Sequence, residues 1–316
     1  MTRQAGRIWV WIAVAALAVA FVLVGAGFDF DYVIPKQIAR LGAMAIGGVC
    51  VACASILFQT ITGNRILTPA IMGYEAVYLL LQALLILAMG LGSAAVLGVH
   101  GNFMLSLLSM LAYSWAVHRW LFRDSRRDVY FLLLLGLVLT MVMGTFTQFV
   151  QLRTSPGEFA MLQGFSQASF NRSQPGQLGI AALLVAAACL AAARMLPVLD
   201  VLALGRDQAM SLGVDHRRDV GRVLGVIAVL VAVSTSLLGP TAFMGIFVAN
   251  ITYALAGTSR HRVTLSMGCG IAIGMFIVAQ MLVEQVFNYR TTVGILVNLV
   301  CGAYFLLLMI RSRGPE

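Results

Sequence analysis

Apolar residues in this chain come in long blocks rather than narrow amphipathic stripes. Runs of about 20 residues, nearly free of charge, alternate with short polar joints, and each run coiled as an α-helix would cross a hydrocarbon core of about 30 Å. The blocks predict helices at 8–27, 38–61, 69–92, 101–122, 129–151, 178–196, 219–238, 240–257, 265–287 and 294–311. The ten-residue alternating segments of a membrane β-barrel are absent. The fold class is therefore an all-α polytopic membrane protein of about ten transmembrane helices, with residues 1–316 reading as a single transmembrane domain. The first run follows Arg3 and Arg7 as a signal peptide would, but about 20 apolar residues exceed the usual hydrophobic region of one, which favours an uncleaved span. The connection at 152–177 is the longest on its side, and Glu158 to Gln167 can form a short surface helix within it.

Composition agrees. The 316 residues are 60% hydrophobic and only 10% charged, against roughly a quarter charged in a soluble globule. The net charge of +9 does not call for nucleic acid, because basic residues collect in the cytoplasmic loops of membrane proteins. With the N-terminus inside, the cytoplasmic joints hold 16 of the 21 Lys and Arg residues; the outer joints hold Lys36, Arg40, Arg153, Arg172 and Arg290. The asymmetry predicts that both termini are cytoplasmic. All five cysteines lie in apolar runs, which argues against a disulfide framework, and Cys50-x-x-Cys53 reads as packing rather than a redox pair.

The most structured polar joint is Asp200 to Val214. Asp200 can cap a first short helix and Gly205 can end it; a second turn or two runs from Arg206 to Leu212, and Gly213 supplies a left-handed stop. Two capped miniature helices exceed what a connector needs, and the segment is expected to receive a push from another protein.

No catalytic constellation and no metal-ligand spacing is evident. The histidines His100, His118, His216 and His261 fall in joints or at span ends, and no phosphate-binding Gly-Lys-Ser/Thr loop is present, so nucleotide hydrolysis would need another chain. Two carboxylates intrude on apolar runs, Glu75 and Glu284. Glu75 is open to two readings, a proton carrier or a helix-packing hydrogen bond. The fifth run carries Thr140, Gly144, Thr147, Gln148 and Gln151 at helical spacing, a stripe that either lines a translocation path or glues helices. The outer Arg153, Arg172 and Arg290 are open to docking an acidic protein or contacting lipid headgroups.

Two stretches echo each other. Thr68-Pro69-Ala-Ile-Met72-Gly73 opens the third span from inside and Gly239-Pro240-Thr-Ala-Phe-Met244-Gly245 opens the eighth from outside, as an inverted repeat of spans 2–5 and 7–10 would have it. The segment from Phe58-Gln59 through Asn64-Arg65-Ile-Leu-Thr-Pro69-Ala-Ile-Met-Gly73 to Glu75, the Leu204–Val214 segment, the stretch Gly239 to Asn250, and Val293-Gly294-Ile295 with Gly302-Ala-Tyr304-Phe305 resemble, in order, the permease subunits of iron-chelate (siderophore) and vitamin B12 ABC importers. The resemblance covers roughly 38–312 and is closest to permeases for catecholate-type ferric siderophores. It departs at Glu75, where the family usually has Asp, at Arg206, where acids are common, and at Ala249-Asn250, where many members have Pro-His.

The resemblance implies a type II ABC importer permease in the bacterial cytoplasmic (inner) membrane, moving a ferric siderophore; cobalamin and haem importers share the pattern, and a proton-coupled secondary transporter is the alternative of another class. It implies a non-catalytic subunit holding no cofactor of its own, ATP and Mg²⁺ being bound by ATPase subunits. A second permease in a heterodimer or a homodimer, an extracytoplasmic binding protein and membrane lipid would be its other partners. It further implies that Leu204, Gly205, Arg206, Asp207, Gln208, Ala209, Leu212 and Gly213 couple to the ATPase, that the stripe Thr140–Gln151 borders the path, and that Arg153, Arg172 and Arg290 receive the binding protein.

Overall fold

A lipid-embedded backbone has no water to bond, so a chain this apolar must satisfy its peptide groups within helices. The structure, a computed structural model, describes residues 3–24, 33–121, 129–241 and 243–312, and among these residues it contains no strand. In chain order the helices are α1 (Arg3–Leu23), α2 (Val33–Thr62), α3 (Tyr74–Met89), α4 (Ser93–Leu121), α5 (Val129–Gln151), α6 (Pro156–Phe165), α7 (Pro175–Arg194), α8 (Leu196–Leu202), α9 (Arg206–Ser211), α10 (His216–Leu238), α11 (Met244–Ala256), α12 (His261–Met281) and α13 (Val293–Ser312). Ten of them match the ten predicted runs. Seven described helices are long and apolar enough to span a bilayer, and Tyr74–Met89, Met244–Ala256 and Val293–Tyr304 are shorter apolar helices. The predicted basic positions Arg123, Arg126, Arg127 and Arg313 lie outside the described residues.

Two predicted spans are broken near their starts. The run 69–92 begins as a 3₁₀ turn at Pro69–Met72, and α3 starts only after Gly73, whose φ of 88° is left-handed. A Cβ at Gly73 would also lie 2.8 Å from the Tyr113 hydroxyl oxygen. The run 240–257 likewise yields a helix only from Met244, after Gly239 turns at φ 95° and Pro240 withholds an amide. Continuous hydropathy across both prolines concealed these breaks. The ninth run gives α12 followed by a π-helical turn at Leu282–Val286.

The 30-residue α2 is the hub, packed against α10, α12, α7 and α11. Small residues let backbones close in: a Cβ on Gly48 would meet the Ile273 amide nitrogen at 2.9 Å, and one on Gly136 of α5 would meet Ile71 O at 2.8 Å. Partners recur in the pattern of the predicted repeat. Helix α3 packs on α4 and α5 as α11 packs on α12 and α13, and α10 packs on α4 as α2 packs on α12. Helix α1 lies along α12, with Val10 and Val14 over Gly270 and Gly274. The five cysteines are free thiols; Cys53 meets Cys269 across the α2–α12 crossing, sulfur to sulfur 3.6 Å, rather than its sequence neighbour Cys50.

The predicted surface helix is α6, which starts slightly earlier than read. Pro156 occupies its first turn, and a capping box closes it: Ser155 Oγ accepts from Glu158 N while Glu158 Oε2 accepts from Ser155 N at 2.8 Å.

Candidate functional site

The Asp200–Val214 segment folds as the pair α8–α9. Helix α8 buries Leu199 and Leu202 and packs on α2, α7 and α12, whereas α9 touches only α8 and α10 among the stronger element contacts. Helix α9 ends in a Schellman motif: Gly213 at φ 85° donates to Met210 O and Val214 N donates to Ala209 O, both at 3.0 Å. Ala209 is fully buried and pins α9 down, while Leu204, Met210 and Leu212 are each more than half exposed. Residues Leu204 to Gln208 and Met210 to Gly213 all face outward. Apolar side chains held out on a capped, rigid element form a surface suited to a groove in another protein.

Asp200 does not cap its own helix. Helix α8 already begins at Leu196, with Met195 as an N-cap that makes no side-chain bond and Pro197 in the first turn, so Asp200 falls mid-helix. Its Oδ1 instead accepts from the backbone N of His261 at 2.9 Å and from His261 Nδ1 at 2.6 Å, capping the start of α12. His261 Nε2 lies 2.7 Å from Thr60 Oγ1 near the end of α2. His261, read from sequence as a joint residue, is buried and doubly engaged. No local signal marks it, because its partners lie 61 and 201 residues away. Beside it opens a vestibule of about 490 Å³, walled by Gln59, Thr60, Arg65, Ala203, Tyr253 and His261 among others. The Arg65 guanidinium lies over the Tyr253 ring at 4.9 Å.

The polar stripe of α5 divides. Thr147 is buried, Thr140 sits 3.1 Å from where a Gly73 Cβ would be, and both hydroxyls bond the carbonyl four residues earlier. These two face the α3 side. Nothing lies within 4 Å of a Cβ at Gly144, and Gln148 is exposed. At 100° per residue, the stripe runs along one edge of an uncovered apolar face bearing Leu134, Leu137, Met141 and Phe149.

The opposite end of the bundle carries the three predicted docking arginines, in unlike settings. Arg153 and Arg290 are exposed. Arg172 turns inward, donating to Gly164 O and, at 2.7 Å, to Gln167 O, with Phe165 under its guanidinium at 5.2 Å. Burial pulls the Arg172 guanidinium below its ordinary pKa, with Tyr78 opposing. It holds the end of α6, so its side chain is committed within the fold.

Both intramembrane carboxylates have partners. Glu75 Oε1 accepts from Thr241 N at 2.9 Å, joining the break before α3 to the break before α11. An approximately 30 Å³ cavity beside it, lined by Ser55, Ser234 and Thr235 among others, has room for about one water. Glu284 pairs with Arg40, Nη1 to Oε1 3.0 Å, and the same oxygen accepts from Gln280 Nε2 at 2.6 Å. Tyr289 in the following turn also bonds both members of the pair; burial and Glu284 push its phenol above the ordinary range, while Arg40 opposes. Asn288 and Tyr289 stand at φ 46° and 60°, two successive left-handed non-glycine residues that present Arg290.

Known proteins resemble this chain in sequence and in fold. The chain is 33% identical over 282 residues to the petrobactin import system permease protein YclO of Bacillus subtilis (strain 168), covering 89% of this chain and 90% of that one. It is 28% identical over 281 residues to the petrobactin import system permease protein FatC of Bacillus anthracis, covering 89% and 79%. The fold superposes with TM-score 0.84 at 16% identity on a structure described as an inward-facing conformation of a metal-chelate type ABC transporter, covering 98% of this chain and 99% of the other. Residues 10–311 match the FecCD transport family, and the chain belongs to it.

Proposed function

We propose that this chain is the permease subunit of an ATP-binding-cassette importer that moves a ferric siderophore inward across the bacterial cytoplasmic membrane, powered by separate ATPase subunits. The observation that carries the reading is the α8–α9 pair, an exposed apolar tip on a capped helix whose base is packed into α2, α7 and α12. A push on α9 has a rigid route into the bundle. The distribution of basic residues supports placing this face, and both termini, in the cytoplasm.

The uncovered face of α5 suits a second permease, with the stripe from Thr140 to Gln151 bordering the space between them. Petrobactin permeases among the relatives support a siderophore as the cargo class. Arg153 and Arg290, exposed on the outer face, are suited to acidic residues of a binding protein; Arg172 is not. The Glu75 carboxylate, tied to Thr241 N, supports the packing reading over the proton carrier.

The test is uptake of a panel of ferric siderophores, cobalamin and haem by cells expressing the chain with a second permease, an ATPase and a binding protein. Uptake of one siderophore that stops when the ATPase is inactivated is the expected result. Uptake that persists on a proton gradient alone would overturn the ABC reading. Replacing Leu204–Leu212 with a Gly/Ser segment is expected to leave the permease inserted while transport is lost.

A further inference from the structure

Both ring nitrogens of His261 have partners. Thr60 Oγ1 lies 2.8 Å from Ile56 O and 2.7 Å from His261 Nε2. The hydroxyl can serve Nε2 as donor or as acceptor, so this contact forms whether or not Nε2 carries a proton. On the other side Nδ1 is 2.6 Å from Asp200 Oδ1, and an ionised carboxylate oxygen only accepts, so Nδ1 donates there. The buried ring is held between a carboxylate on α8 and a hydroxyl on α2, and the same carboxylate oxygen holds the His261 backbone.

We propose that Asp200, His261 and Thr60 form a strut that carries displacement of the α8–α9 pair into α2 and α12, and that His261 is a positioning residue for coupling. The proposal rests on reading α8–α9 as the ATPase-facing element. Three helices meet at one side chain: α8 through Asp200, α12 through the His261 backbone, and α2 through Thr60. Charge-assisted bonds are the stronger kind, and the buried ring has no alternative partner in water. Leu199 and Leu202 bury α8 beside it, so α8 moves with the ring. Thr60, His261 and Ala203 also wall the 490 Å³ vestibule, so shifting the strut reshapes the opening at this end of the bundle.

The experiment uses the whole importer in liposomes, with His261→Gln, Asp200→Asn and Thr60→Val compared with the unmodified chain. Retained ATPase and cargo transported per ATP hydrolysed are both measured. The ATPase is expected to stay bound while transport per ATP falls roughly tenfold, the equivalent of losing one bond to a charged group. Bound ATPase with transport per ATP within about twofold of the unmodified chain, a change worth well under one such bond, overturns the proposal. A second measurement needs no partner: ¹⁵N chemical shifts of His261 in the purified permease should show Nδ1 carrying a proton, and Asp200→Asn should shift that Nδ1 signal. An Nδ1 without a proton in the unmodified chain overturns the strut. Failure of the unmodified chain to bind any ATPase overturns the coupling reading instead, while the ¹⁵N signature still decides the strut.

Discussion

The Arg40–Glu284 pair offers a quantitative test of how charges are held near the outer end of α12. The two side chains are 13% and 8% exposed, so solvent screening is slight. Two unit charges about 4 Å apart at an effective dielectric of about 20 attract by roughly 4 kcal/mol. Each ion has also left water, so removing one partner leaves the other buried and uncompensated, a loss of about 3 kcal/mol or more. Arg40 is poorly placed to find substitutes, since its Nε already lacks a hydrogen-bond partner. Glu284→Gln and Arg40→Met are therefore each expected to destabilise by about 3 kcal/mol, and the double variant by only about 2 kcal/mol, because no charge is then stranded. The implied coupling is about 4 kcal/mol, matching the Coulomb figure. The assay is a double-mutant cycle on reversible unfolding of the purified permease in a membrane mimetic. Coupling below about 1 kcal/mol, the value of a solvent-exposed pair, would refute the buried reading.

Other expectations follow from particular contacts. Gly48→Ala places a Cβ 2.8 Å from Ile273 Cγ1 and 2.9 Å from its amide, so α2 and α12 must part, with a loss of about 1–3 kcal/mol in the same unfolding assay. Gly213→Ala forces a side chain into φ 85° at a cost of about 1–2 kcal/mol; faster hydrogen exchange confined to α9 is the expected readout. Charge reversal at Arg153 and Arg290 is expected to weaken binding-protein affinity less as salt rises, since their exposed pairs are screened beyond about 10 Å at 0.1 M. Arg172→Gln, by contrast, should lower stability through the freed carbonyls of Gly164 and Gln167, measured as a lower unfolding midpoint.

Apolar block length was enough to locate ten apolar helices, seven of them of spanning length, because a bilayer imposes one length scale on its crossings. The backbone breaks at Gly73 and Gly239 escaped that reasoning, since hydropathy does not register a change of φ inside an apolar run. Capping rules found the αL stop at Gly213 but misplaced Asp200: they see neighbours in sequence, and its carboxylate serves a helix 61 residues on. Glu284 drew attention as an unsupported acid, yet its counter-ion is 244 residues away and was visible only as one of five outer basic residues. Arg172 was grouped with Arg153 and Arg290 by side of the membrane, and only the fold separates a half-buried structural cation from two exposed ones. The α5 stripe was legible as a polar edge, but which of its members face α3 depends on how the helix is rotated.

The meeting of Cys53 and Cys269 at 3.6 Å gives the protein a reporter of its own. The two sulfurs sit on α2 and α12, the helices joined at one end by Thr60 and His261. If α2 and α12 move as one body, thiol-reactive probes meet the same closed pair at every stage of ATP turnover. If they slide past each other by even one residue rise of 1.5 Å, that contact opens. The reactivity of two native thiols thus distinguishes a rocking cycle from a sliding one with no engineered label in the bundle.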